Sequence, residues 1–190
     1  MSRHAEMSAE SRSRLMVAAW ELLAQGGLGA ATVQAVSERA GISRGSISWH
    51  FGSKEGLVVE VIGNAFEMLC DRVTAVFDAP GEKTWERALT AQAVMLTDER
   101  FQIFGTLGLQ AMTAQGPLAE AFAEGQRRVR ELYADYLFSS GLVGDQRRAR
   151  DAATALRAMT LGLNIQRRFD PEVPTLAEAF DALRGMDGEQ

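Results

Sequence analysis

The stretch Ala40-Gly41-Ile42-Ser43-Arg44-Gly45-Ser46-Ile47-Ser48-Trp49-His50-Phe51 decides the fold, because it packs two helix boundaries into twelve residues. Upstream of it, Val33, Val36 and Ala40 recur at helical spacing behind Thr32, whose hydroxyl suits a helix N-cap. Gly41 stops that helix after about two turns, since glycine readily takes the left-handed conformation that closes a helix. Ile42 then plugs the angle between helices, against Leu22, Val33 and Val36. Ser43 is expected to cap a third, short helix from Arg44 to Phe51, with Ile47 and Phe51 inward. Two short helices joined by a glycine-containing turn of three to four residues form a helix-turn-helix unit.

The residues left outside on the third helix are Arg44, Gly45, Ser46, Ser48, Trp49 and His50. They suit a nucleic-acid duplex. An arginine reaches guanine O6 and N7 in the major groove, and Gly45 lets the helix backbone approach base edges. Ser46 and His50 donate to phosphate, while Trp49 sets its ring against sugar with its N–H on phosphate.

Outward from this unit the chain reads as helix almost throughout, and no useful length alternates apolar and polar residues with period two. A first helix is expected from Ser11 to Gln25, with Leu15, Ala18, Ala19, Leu22 and Leu23 on one face and Gly26-Gly27 as its stop. Ser53 caps a long fourth helix whose apolar series Leu57, Val61, Ala65, Leu69, Val73, Phe77 is wide enough to pack on two neighbours. After the turn at Asp78-Ala79-Pro80-Gly81, helices follow at about 83–97, 99–114, 117–140, 145–169 and 174–185. The expected architecture is all-α: a three-helix N-terminal helix-turn-helix domain over residues 1–52, and a helical domain over 53–190 with 53–78 as the connecting helix.

A net charge of −5 looks unsuited to a nucleic-acid binder, but the charge is unevenly spread. Residues 1–52 carry five basic and four acidic side chains, which leaves −6 on the remainder. A near-neutral reader on an acidic body is workable where the body is held away from the phosphates. The single cysteine, Cys70, excludes an internal disulfide and a thiolate metal cluster, and its apolar surroundings suit a buried thiol. There is no phosphate loop, no G-x-S-x-G and no H-E-x-x-H, and the only histidines are His4 and His50. An enzyme, a metal and a cofactor are therefore not expected. The polar start of the chain has no apolar run of signal-peptide length, and no apolar stretch approaches 18 residues, so a cytoplasmic protein without membrane contact is expected.

The run from Thr32-Val33 through Ala40-Gly41-Ile42-Ser43-Arg44-Gly45-Ser46-Ile47 to His50-Phe51-Gly52-Ser53-Lys54-Glu55-Gly56-Leu57 resembles the TetR family of one-component bacterial regulators. The matches fall at fixed offsets across a cap, a turn, a reading helix and the next helix start. The resemblance places Arg44 and Gly45 on bases, and Thr32, Ser46, Trp49, His50 and Lys54 on phosphates. The chain departs at Ser48, where the family often has tyrosine, and at Ser37, where it has alanine. Double-stranded DNA is the implied partner. The implied role is a repressor, with a DNA-binding activator or a ligand-binding dimer of little sequence preference as alternatives.

The body carries weaker signals. Phe101, Phe104, Leu107 and Met112, with Met68, Trp85 and Phe122, offer surface for a ligand cavity, with ordinary core as the competing reading for each. Asn164 and Gln166, and also Gln102, Gln110 and Thr113, are the candidate polar contacts. The resemblance adds the expectation of a small-molecule inducer, hydrophobic or aromatic, of unknown identity. A small-residue face on the 145–169 helix, including Ala152, Leu156, Met159 and Leu163, joins Phe180 and Leu183 of the last helix as a candidate homodimer interface. The tract Gly162-Leu163-Asn164-Ile165-Gln166 with Asp170-Pro171 extends the resemblance towards the end of the chain. Two readers about 34–36 Å apart would engage successive major grooves of a pseudo-palindromic operator. A ligand that shifts the fourth helix would then oppose DNA binding through a reciprocal coupling of ~1–3 kcal/mol.

Overall fold

Each helix boundary in the N-terminal segment follows from a local hydrogen-bond requirement. A computed structural model describes residues 3–167 and 169–186, apart from the side chains of Arg3, His4, Leu96, Thr97, Asn164 and residues 184–186. The described residues form nine α-helices, one 3-10 turn at Glu99–Phe101 and no strand, the all-α architecture expected. Thr32 caps α2 (Val33–Ala40), its hydroxyl oxygen accepting from the Ala35 N–H at 3.1 Å. Gly41 closes α2 at φ 64°, ψ 38°, with its N–H turned back to the Glu38 and Ser37 carbonyls. Ser53 begins α4 (Lys54–Phe77) by accepting from the Gly56 N–H at 3.0 Å.

Two boundaries depart from expectation. The third helix, α3 (Gly45–Phe51), starts one residue late: Arg44 holds the cap position without a side-chain bond, and the Ser43 hydroxyl pairs instead with the Ser46 hydroxyl at 2.9 Å. The first helix, α1 (Arg3–Ala30), begins eight residues before Ser11, because Ala5, Glu6, Met7, Ala9 and Glu10 are helix formers although they carry no apolar stripe. Gly26 and Gly27 break its ladder where a stop was expected, at φ −146°, ψ 17° and φ 64°, ψ −155°, and a short helical piece continues to Ala30.

The chain divides into two compact units. The first holds residues 1–68 and 98–126, and so contains α1 to α3, the start of α4, α6 (Gln102–Thr113) and the start of α7 (Pro117–Ser139). Its interior is built on Leu15, Leu23, Ile47, Leu57, Ile62 and Leu107, all essentially inaccessible to solvent. The Phe66 ring lies against Gly125, where any Cβ would overlap it. That glycine sets the distance between α4 and α7 in this unit.

The second unit holds residues 69–97 and 127–190, with the ends of α4 and α7, α5 (Trp85–Thr97), α8 (Gln146–Arg167) and α9 (Leu176–Met186). Phe77 is stacked on Tyr136 with ring centroids 4.0 Å apart and meets Tyr133 edge-on at 5.0 Å. The Tyr136 hydroxyl donates to the Thr84 carbonyl at 3.1 Å, while the Arg87 guanidinium caps the end of α4 by donating to the carbonyls of Phe77, Ala79 and Pro80. Glu131 of α7 accepts from Arg150 of α8 at 2.8 Å, and its two arginine neighbours hold its carboxyl below the usual range. At α9, Thr175 and Glu178 form a reciprocal capping box.

Ser37 is the discordant note in α2. It is buried, and its hydroxyl finds no partner among the described residues. A buried hydroxyl without a bond costs free energy, and alanine is the better helix former. Ser37→Ala is therefore expected to stabilise the protein by about 1 kcal/mol, raising Tm by roughly 2–4 °C in calorimetry; an unchanged or lowered Tm would show that this hydroxyl has a bond in solution.

Candidate DNA-reading face

A seven-residue helix has too few internal bonds to persist alone, so α3 must be held from outside. The holding groups come from α1. Arg14 Nη2 donates to the Ala40 carbonyl at 2.5 Å, fastening the turn just before Gly41. At the other end of α3, the His50 ring lies 3.3 Å from the Ser11 hydroxyl, and the Arg12 guanidinium sits over the Phe51 ring at 5.2 Å. Arg12 is also ion-paired to Glu60 of α4. The buried Ile47 anchors the middle of α3. Ser11, Arg12 and Arg14 were not among the candidate residues; their role depends on contacts across 26 to 39 positions, which a local pattern does not contain.

What α3 presents outward agrees in part with its reading. Arg44 is exposed, and no hydrogen bond or ion pair among the described residues restrains its guanidinium. Gly45 is exposed too, and a Cβ built there would meet nothing within 4 Å. Glycine in a helix costs about 1 kcal/mol relative to alanine, and here the protein's own packing does not require it. Trp49 is 72% exposed, although a side chain of this size is ordinarily covered. It touches His50 edge-on, with ring centroids 4.4 Å apart. Ser48 is exposed beside it, and Ser46 is half-buried with its hydroxyl on Ser43.

The remaining two residues assigned to phosphate have internal duties as well. Thr32 is exposed while its hydroxyl caps α2. Lys54 is half-buried, and its ammonium donates to the Leu28 carbonyl at 2.9 Å, which orients it and leaves two further N–H donors. Burial first, and the Arg12 charge second, hold the His50 imidazole below its ordinary value.

The residues expected to line a ligand cavity are only partly brought together. In the first unit Phe104 lies 4.5 Å from Phe66 and 5.9 Å from Phe101, and Phe66 meets Phe122 at 5.7 Å. Phe66, which the sequence reading does not single out for this role, is thus the centre of the aromatic cluster. Leu107 is buried, Met68 half-buried, and Met112 stands 80% exposed on α6. Trp85 belongs to the second unit, where it packs on Phe180 at 5.3 Å. Trp85, Phe180, Ala152, Ala155, Leu156, Met159 and Leu183 together line an apolar recess of about 240 Å³. Gln166 is exposed, and the Asn164 side chain lies outside the described residues. Of the residues assigned to a dimer face, Leu156 is buried within its own unit, Ala152, Met159, Leu163 and Phe180 are half-buried, and Leu183 is exposed. Leu161 and Ile165 of α8, 55% and 44% exposed, were not assigned to it.

Among the described residues, no group of acidic, histidine and cysteine side chains could hold a metal ion, and no helix is long and apolar enough to cross a membrane. A family model described as "Bacterial regulatory proteins, tetR family" matches residues 15–61. The chain is 30% identical over 173 residues to the HTH-type transcriptional regulator BetI 2 of Chromohalobacter salexigens, covering 88% of this chain and 82% of that protein. In fold it is similar to the reduced form of NemR from E. coli, with a TM-score of 0.78 at 19% identity over 92% of this chain and 95% of that one. It is likewise similar to a transcriptional regulator from Saccharomonospora viridis in complex with choline, with a TM-score of 0.74 at 18% identity over 96% and 97% of the two chains.

The Arg12 contact supplies a pH test. An imidazole that binds its proton less readily when folded than when unfolded makes the native state lose stability as pH falls through the histidine range. In an NMR titration the His50 midpoint should lie below that of an unfolded histidine and should rise in Arg12→Gln. A midpoint unmoved by that substitution would remove Arg12 from the causes.

Proposed function

This chain belongs to the TetR family of bacterial regulatory proteins, and from that premise we propose that it is a transcriptional repressor that binds a pseudo-palindromic operator as a homodimer and is released by a small apolar or aromatic ligand. It acts in the cytoplasm, by binding and without catalysis. One observation carries the DNA reading: Arg44, Gly45 and Trp49 are displayed outward on a helix clamped at both ends, with open space where the Gly45 side chain would be. Arg44 and Gly45 meet base edges in the major groove, and the helix backbone approaches closely because Gly45 has no Cβ. Thr32, Ser46, Trp49, His50 and Lys54 grip phosphates on either side and fix the register. Residues 1–52 serve as the reader, and the body from 53 onward pairs it and responds to ligand.

Pairing is supported by the apolar side chains left in solvent on α8 and α9, Leu161, Ile165 and Leu183, the last of which also lines the recess with Trp85 and Phe180. A second copy covering these side chains brings two readers to one duplex and doubles the basic contacts of an otherwise acidic protein. The ligand reading rests on the Phe66, Phe101, Phe104 and Phe122 cluster. That a regulator of the same fold is known in complex with choline supports a fold able to take small molecules.

Selection of bound sequences from a random duplex pool should return a pseudo-palindrome with half-sites about one helical turn apart. Arg44→Ala should relax preference at one position per half-site and cost ~1–3 kcal/mol, while Lys54→Ala should weaken all sequences alike and flatten the salt dependence. Retention of the full preference by Arg44→Ala would refute the base contact. In sedimentation, the double variant Leu161→Lys, Ile165→Lys should be monomeric and bind the selected operator at least tenfold more weakly; a dimer of wild-type strength would place the interface elsewhere.

A further inference from the structure

The break in α1 leaves two backbone groups without their helical partners. In an unbroken helix the Leu28 N–H would donate to the Ala24 carbonyl, four residues earlier. The non-helical dihedrals of Gly26 and Gly27 part them. Both are taken up by α6, 82 residues away in sequence. The Thr106 hydroxyl donates to the Ala24 carbonyl at 3.0 Å, and the Gln110 side-chain oxygen accepts from the Leu28 N–H at 3.0 Å. Thr106 and Gln110 are four apart on α6, so one face of that helix spans the gap.

The other polar group of Leu28 is also engaged. Its carbonyl accepts from the Lys54 ammonium at 2.9 Å, while the Thr32 N–H, which would bond it in a continuous helix, turns to Ala30 instead. Leu28 is therefore held on one side by α6 and on the other by the first residue of α4, three residues after α3 ends at Phe51. The fit at the α6 side is close. A Cβ on Gly27 would come within 2.6 Å of the Gln110 amide, and φ there is 64°, so this position accepts glycine alone. Gln110, a candidate polar contact for a ligand on sequence grounds, has its amide oxygen committed here.

We propose that Gln110 is a positioning residue of the DNA reader, acting through Leu28 and Lys54 to set where α4 begins and hence how α3 is presented. The inference rests on the DNA-binding reading and adds the route by which α6 reaches it. A turn or slide of α6 pulls the Leu28 amide, shifts its carbonyl, and changes the seat of the Lys54 ammonium that serves the phosphate grip. Phe104, on the same helix and 4.5 Å from Phe66, ties the aromatic cluster to that movement.

The test pairs a readout on the protein alone with one on DNA. Amide hydrogen exchange followed by NMR should show Leu28 at least tenfold faster in Gln110→Ala, with a smaller increase at Gly56 and Leu57 where α4 begins, and wild-type rates in Gln110→Glu, which keeps an acceptor oxygen. On the operator selected by wild-type protein, Gln110→Ala should bind about fivefold more weakly with base preference intact, and Gln110→Glu should restore affinity. Gln110→Ala added to Lys54→Ala should cost little more than Lys54→Ala alone, because both act through one residue. Additive losses, unchanged operator affinity in Gln110→Ala, or faster exchange confined to Leu28 would each overturn the proposal. If wild-type protein selects no sequence at all, the DNA-binding reading fails on its own, and exchange at Gly56 and Leu57 still decides whether Gln110 sets the start of α4.

Discussion

The shortness of α3 is the constraint from which the rest of the N-terminal unit follows. Seven residues cannot repay the cost of nucleating a helix, so the outward surface of α3 has to be stabilised by residues that are not part of it. Arg14, Ser11 and Arg12 do this from α1, Ile47 does it from below, and Glu60 holds Arg12 in place from α4. The outward side chains are thereby relieved of structural work. Arg44 and Trp49 stand in solvent because fixation of the helix is assigned to its inner face and its ends.

The same division of labour recurs at the helix ends of the second unit. Arg87 satisfies three carbonyls where α4 terminates, and Tyr136 reaches the carbonyl that precedes α5. Buried aromatic rings supply area while their polar tips, or a neighbouring arginine, quiet the backbone. Tyr133 is the exception: its hydroxyl is fully enclosed without a partner among the described residues, and burial pushes its proton loss far above the ordinary phenol range, so it remains neutral.

Much of this was legible in the sequence wherever the cause was local. Thr32, Gly41 and Ser53 are each committed by their own chemistry to a cap or a left-handed turn within four residues, and the structure has them there. Ser43 misled because a serine before a helix has two local uses, and the hydroxyl of Ser46 offered the competing one. The start of α1 was hidden because residues 3–10 have helix propensity but no apolar period, and the apolar period was the signal followed. The arginine clamps, the Gly125 contact with Phe66 and the Gln110 bond to Leu28 were not legible at all, since each joins elements tens of residues apart. Of the aromatic residues of the body expected to line a cavity, Phe101 and Phe122 are buried and Phe104 and Trp85 half-buried, and composition alone did not separate Trp85 from the cluster around Phe66.

The open space at Gly45 has a consequence for how such a protein can change. Because no protein atom lies within 4 Å of the missing Cβ, a β-carbon introduced there meets neither core nor backbone. At Gly27 or Gly125, by contrast, any substitution strikes the protein itself. A lineage or an engineer can exchange Gly45 without first making room in the scaffold, so the outward surface of α3 is open to change in single steps.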